Sequence, residues 1–96
     1  VKILAVIDVV PGTDMAALRA GLPGELKETW NLFSSGVLRE AYATASPTRV
    51  VFVLETQNLE EADAHLRKFP LVASGGLRFE LVELHPFINW SMLFAR

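Results

Sequence analysis

Two stretches of this 96-residue chain, Ile3–Ile7 and Val50–Leu54, are apolar at every position. A strand that shows one face to a core alternates apolar with polar residues, whereas an unbroken apolar run marks a strand buried on both faces. The pattern around these runs reads strand, helix, strand, strand, helix, strand. Two helices can cover only one side of a four-stranded sheet, so the other side needs another cover, and a second copy of the chain is the expected one. Size points the same way: a chain this short buries only roughly two-thirds of its unfolded surface by itself, and 51% of its residues are hydrophobic.

The first run ends at Pro11-Gly12. Thr13 or Asp14 can cap a helix that follows, Gly21 is expected to interrupt it after Arg19, and Pro23 to restart it at a first turn, where the missing N–H costs nothing. In the second half Leu26, Trp30 and Phe33 share a face, which is expected to be the buried one. Ser34-Ser35-Gly36 stops this helix. A second strand over about Val37–Thr44 carries Arg39 and Glu40, as an edge strand tolerates, and Ser46-Pro47-Thr48 closes a hairpin to the second apolar run. Asn58 and Glu61 have the spacing of a capping box, and Leu59, Ala62, Leu66 and Phe69 form the buried stripe of a second helix. The last strand, from Leu77 to about His85, carries Arg78, Glu80 and Glu83 and is again an edge. First and third strands central, second and fourth outside, give a four-stranded antiparallel sheet of order 4-1-3-2 with two helices on one face, the ferredoxin-like α+β arrangement. Residues 1–96 form one domain, and its segment 86–96 is too apolar to stand in water and is expected to pack on a neighbouring subunit.

Three short stretches, Ser35-Gly36-Val37-Leu38-Arg39, Phe69-Pro70-Leu71 and His85-Pro86, make the chain similar to the muconolactone isomerase family of dimeric α+β barrels. The resemblance implies a homodimer or higher homo-oligomer built by packing open sheet faces together, with a C-terminal segment that reaches a neighbour. It also implies a cofactor-free, proton-transferring isomerase acting on a small carbonyl-containing metabolite. Glu25-Leu26-Lys27-Glu28 resembles an acid- and lysine-rich part of the isomerase's first helix, and Leu38-Arg39-Glu40-Ala41-Tyr42 keeps an arginine and an aromatic of its second strand. Related barrels include cofactor-independent monooxygenases and non-catalytic small-molecule-binding proteins, so both remain alternatives.

The candidate catalytic residues are His85, Arg39, Tyr42 and Glu28. His85 titrates near neutrality and suits a general acid or base; it could equally face water at a strand end. Arg39 offers a rigid fork for a carboxylate or enolate oxygen, or a cross-strand ion pair with Glu55 if Ala45 pairs with Arg49 across the hairpin. That register sets Tyr42 opposite Phe52 and places Arg39 and Tyr42 on opposite sheet faces unless the strand bulges. Glu28, like Glu25, is as readily a solvated helix residue as a base. Asp8 could be a base in a central strand, but an ion pair with Arg78 is the favoured reading. Trp30, Phe33, Phe79 and Trp90 could line an apolar substrate pocket or simply form core.

Charge and composition narrow the partners. A net charge of -2 with interspersed signs offers no field for a phosphate backbone, so no nucleic-acid partner is expected. The run Ile3–Val10 is too short to span a bilayer and contains Asp8, and no signal-peptide pattern follows it. With no cysteine in the chain and no histidine pair at ligand spacing, no metal and no cofactor are expected, and a cytoplasmic location is the natural setting.

Overall fold

The computed structural model describes residues 1–95. Its elements are β1 (Lys2–Val9), α1 (Met15–Ser34), β2 (Leu38–Ala43), β3 (Val50–Glu55), α2 (Leu59–Arg67), α3 (Pro70–Ala73) and β4 (Leu77–Leu84), followed by a 3₁₀ segment over Ile88–Phe94. The strands form one antiparallel sheet in the order β2-β3-β1-β4, which from the other edge is 4-1-3-2.

The two apolar runs occupy the two central strands. Alternate residues of each, Ile3, Ala5 and Ile7 on β1 and Phe52 and Leu54 on β3, are buried in one cluster with Leu32 of α1, Ala62 and Leu66 of α2, and Phe69. The intervening residues, Leu4, Val6, Val51 and Val53, face the other way and are only half-buried. Tyr42 and Val82 continue that second face across β2 and β4. It is an apolar band that no element among the described residues covers.

Local signals explain most element ends. Asp14 caps α1, its Oδ1 accepting from the Ala16 N–H at 3.0 Å, while Thr13 turns its hydroxyl back to the Val10 carbonyl. α1 closes on Gly36, whose φ of +85° lets the Val37 N–H reach the Leu32 carbonyl and the Gly36 N–H that of Phe33, a Schellman ending. Asn58 Oδ1 accepts from the Glu61 N–H at 2.8 Å. Glu61 returns the bond one residue earlier than a capping box would, to the Gln57 N–H.

Several sequence expectations need correction. The helix is not interrupted at Gly21: α1 runs unbroken for 20 residues through Pro23, because Gly21 and Gly24 serve as flat ground against Leu71 and Pro70 rather than as a stop. The second helix is shorter than its stripe, ending at Arg67, with Pro70 opening the separate turn α3. The hairpin register is shifted by one, since Thr44 and not Ala45 pairs with Arg49. Tyr42 therefore lies opposite Val51, not Phe52, and a slip of one residue moves a side chain to the other face. β2 also bulges between Leu38 and Glu40, which takes Arg39 out of the ladder; it does not pair with Glu55. Asp8 is opposite Arg78 in register, but its carboxylate binds Arg49 Nε at 2.9 Å instead.

The C-terminal segment stands away from the body. Phe87, Ile88, Trp90, Met92, Leu93 and Phe94 are 62% to 80% exposed, and the molecule measures 60 × 30 × 19 Å with a radius of gyration of 15.8 Å. A compact chain of this length would have a radius of about 12.5 Å. No helix is long and apolar enough to cross a membrane among the described residues.

Candidate functional site

On the helix-facing side of the sheet, α1 does not lie flat against β2 and β3. Between them is a cavity of about 370 Å³, walled by Leu22, Leu26 and Thr29 of α1, Ala41 to Ala43 of β2, Val50 and Phe52 of β3, and Phe69, Val72, Leu77 and Ile7. The size is that of a small-molecule site. One ionisable group with a carboxylate enters it: Glu25, only 6% exposed.

Glu25 is there because of how α1 packs. Its buried residues are Leu18, Glu25 and Leu32, seven apart and hence nearly in line along one face. Gly21 lies between the first two. A methyl group at Gly21 would overlap Leu71 Cδ2 and come within 3.0 Å of its Cγ, so glycine here leaves room for the buried Leu71 side chain where α3 meets α1. The approach delivers the Leu71 N–H to Glu25 Oε1 at 2.6 Å, which leaves Oε2 as the oxygen not engaged by Leu71. Burial pushes the Glu25 carboxyl above the usual carboxylate range; the Leu71 and Val72 amides pull it partly back, and Glu28 adds to the rise. A carboxyl whose proton affinity is raised in this way is a stronger base towards a bound molecule than a solvated glutamate.

Gly21→Ala tests this packing. Alanine gains up to about 1 kcal/mol of helix propensity, whereas overpacking a closed contact costs about 1–3 kcal/mol. The expected outcome is a net loss of stability in urea unfolding, opposite in sign to what a solvent-exposed helical glycine gives.

The sequence-predicted site residues do not converge on this cavity. Tyr42 alone is among the residues that border it, but its side chain points with that of Val51 to the uncovered face, where its hydroxyl donates to Glu40 Oε1 at 2.6 Å, an interaction that keeps its phenol protonated to higher pH. Glu28 is half-buried one turn along from Glu25 and does not line the cavity. Arg39 is exposed, its Nε donating to the Gly36 carbonyl at 2.6 Å. His85 is exposed in a separate open cleft with Lys2, Glu55 and Glu83, its Nε2 3.9 Å from Glu83 Oε1.

The four aromatics are likewise apart. Trp30 and Phe33 stack on the outside of α1 with ring centroids 5.6 Å apart; together with Leu26 they are 53% to 66% exposed, so the stripe expected to be buried is the outer one. Phe79 packs under the Arg67 guanidinium, 5.4 Å from the ring centroid, and Trp90 meets Phe87 edge-on in the C-terminal segment. The residue the sequence reading set aside, Glu25, is the one the fold buries. The seven-residue spacing Leu18–Glu25–Leu32 was the available signal.

No family model and no curated protein matches this chain. Among solved structures, 5-chloro-2-hydroxyhydroquinone dehydrochlorinase (TftG) from Burkholderia phenoliruptrix AC1100, in complex with 2,5-dihydroxybenzoquinone, superimposes with a TM-score of 0.72 at 12% identity, over 88% of this chain and 94% of that one. The chain shares the ferredoxin-like α+β fold of that enzyme.

Proposed function

We propose that this protein is a small-molecule enzyme of the dimeric α+β barrel type, in which Glu25 moves a proton on a carbonyl-containing substrate held in the α1–sheet cavity. The observation that carries this reading is a buried carboxyl, its affinity for a proton raised by burial, set in an otherwise apolar, ligand-sized cavity. Such a group is costly to keep and is useful to acid–base chemistry. The step is an isomerisation. Glu25 takes a proton from carbon next to a carbonyl, the C–H electron pair becomes an enolate, and Glu25, in exchange with solvent, returns a proton to the enolate at the original carbon or at the far end of the conjugated system. No electrons are gained or lost, and no cofactor is needed.

Two features complete the reading. The uncovered sheet face is to be closed by a second copy, and the apolar segment after Leu84 is to pack on a neighbouring subunit. The fold shared with a dehydrochlorinase solved with a small oxygenated ring supports a substrate of that general size.

The test is proton exchange in D₂O, followed by NMR, on a panel of neutral unsaturated lactones and cyclic enones. Deuterium incorporation at the carbon beside the carbonyl, catalysed by the wild type above the buffer rate, is expected for at least one member. A protein that binds panel members in the cavity yet exchanges none of them would be a binding protein instead.

A further inference from the structure

The charge that lines the cavity is acidic. Glu25 enters it directly. Glu28 is close enough to act on Glu25 electrostatically. No lysine, arginine or histidine lines the cavity among the described residues. The arginines of the neighbouring strands do not line it: Arg49 pairs with Asp8, and Arg39 is exposed and donates to the Gly36 carbonyl at the bulge.

We infer that this cavity takes uncharged, largely apolar carbonyl compounds and rejects carboxylates. The inference rests on the functional reading above and narrows its substrate class. A carboxylate ligand would sit beside Glu25 in a medium of low dielectric, where like charges repel strongly and neither is solvated. A neutral ketone or lactone meets no such opposition, and its carbonyl can accept a hydrogen bond from Glu25 when that group is protonated. The proposed chemistry agrees with this rule. With a neutral substrate the transfer from carbon to Glu25 exchanges one negative charge for another, and the cavity carries the same net charge throughout. With an anionic substrate it would carry two.

A pair of probes of nearly identical shape tests the rule: 1-acetylnaphthalene, a neutral ketone, and 1-naphthoate, its carboxylate counterpart. Each is titrated into the 96-residue chain at pH 7, and binding is followed by amide shifts of Ala41, Ala43 and Val72. The ketone is expected to bind at least tenfold more tightly than the naphthoate, and this ratio is expected to shrink at least threefold in Glu25→Gln. Equal or tighter binding of naphthoate overturns the charge rule while leaving the cavity a ligand site. A ratio unchanged in Glu25→Gln also overturns it, because dehydration of the anion would then account for the preference. If neither probe shifts the cavity residues, the rule falls together with the functional reading.

Discussion

Glu25→Gln is expected to lower turnover by about 10²–10⁴-fold, the usual contribution of a general acid or base, and at the same time to make the protein more stable at neutral pH. The two effects have one cause. Burial raises the proton affinity of this carboxyl in the folded chain above its ordinary value of 4.5, so the folded state binds more protons than the unfolded state does. Ionisation is then opposed by folding. The cost is absent below the ordinary value, grows as pH climbs through the raised value, and is fully present above it. Glutamine keeps an oxygen for the Leu71 N–H and removes the charge. Wild-type stability should therefore decline with pH over this window, and the variant's should decline less. Urea unfolding at several pH values, alongside the D₂O exchange assay, measures both. A group kept for structure alone would give the reverse, a variant that is less stable and equally active. Loss of activity with gain of stability is the signature of a group retained for chemistry.

The strand order was legible because it depends on burial, which composition reports directly: a run with no polar residue can only be central, and strands bearing Arg39 or Glu80 can only be outside. The start of α1 at Asp14, its stop at Gly36 and the start of α2 at Asn58 were legible from local capping chemistry. What was not legible depends on a count of single residues or on contacts distant in sequence. Tyr42 changes face because the hairpin closes at Thr44 rather than Ala45, and Arg39 leaves the ladder because the strand takes one extra residue there. Neither displacement has a mark in composition. Leu26, Trp30 and Phe33 form as good an apolar stripe as any buried helix face. The helix instead buries the line through Glu25, because Gly21 admits Leu71, a partner 50 residues away. A periodicity argument sees only one helix at a time and cannot know which face a distant turn will meet.

The uncovered sheet face yields the second large effect. Leu4→Lys is expected to weaken self-association on the order of 10²- to 10³-fold, the range for an unpaired charge placed in an apolar interface. Leu4 lies on central strand β1, opposite Val53 on one side and Val82 on the other, so the new ammonium would have apolar neighbours across both ladders. Lys2, two residues along on the same face, adds a like charge. In a lone subunit the substitution costs little, because the side chain points away from the core cluster of Ile3, Ala5 and Ile7 and a lysine can extend its amine to water. The variant should therefore keep the circular dichroism of the wild type and run as a monomer in light scattering at concentrations where the wild type is expected to be an even-numbered oligomer. Leu4→Ile, of the same volume, should stay oligomeric. A wild type that is itself monomeric would leave Leu4, Val6, Val51 and Val53 facing water on the two strands with most reason to avoid it, and the second copy would lose its part in the fold. An oligomer untouched by Leu4→Lys would move the interface elsewhere, to the exposed Leu26–Trp30–Phe33 stripe and the segment after Leu84, the other large apolar surfaces that this chain leaves open.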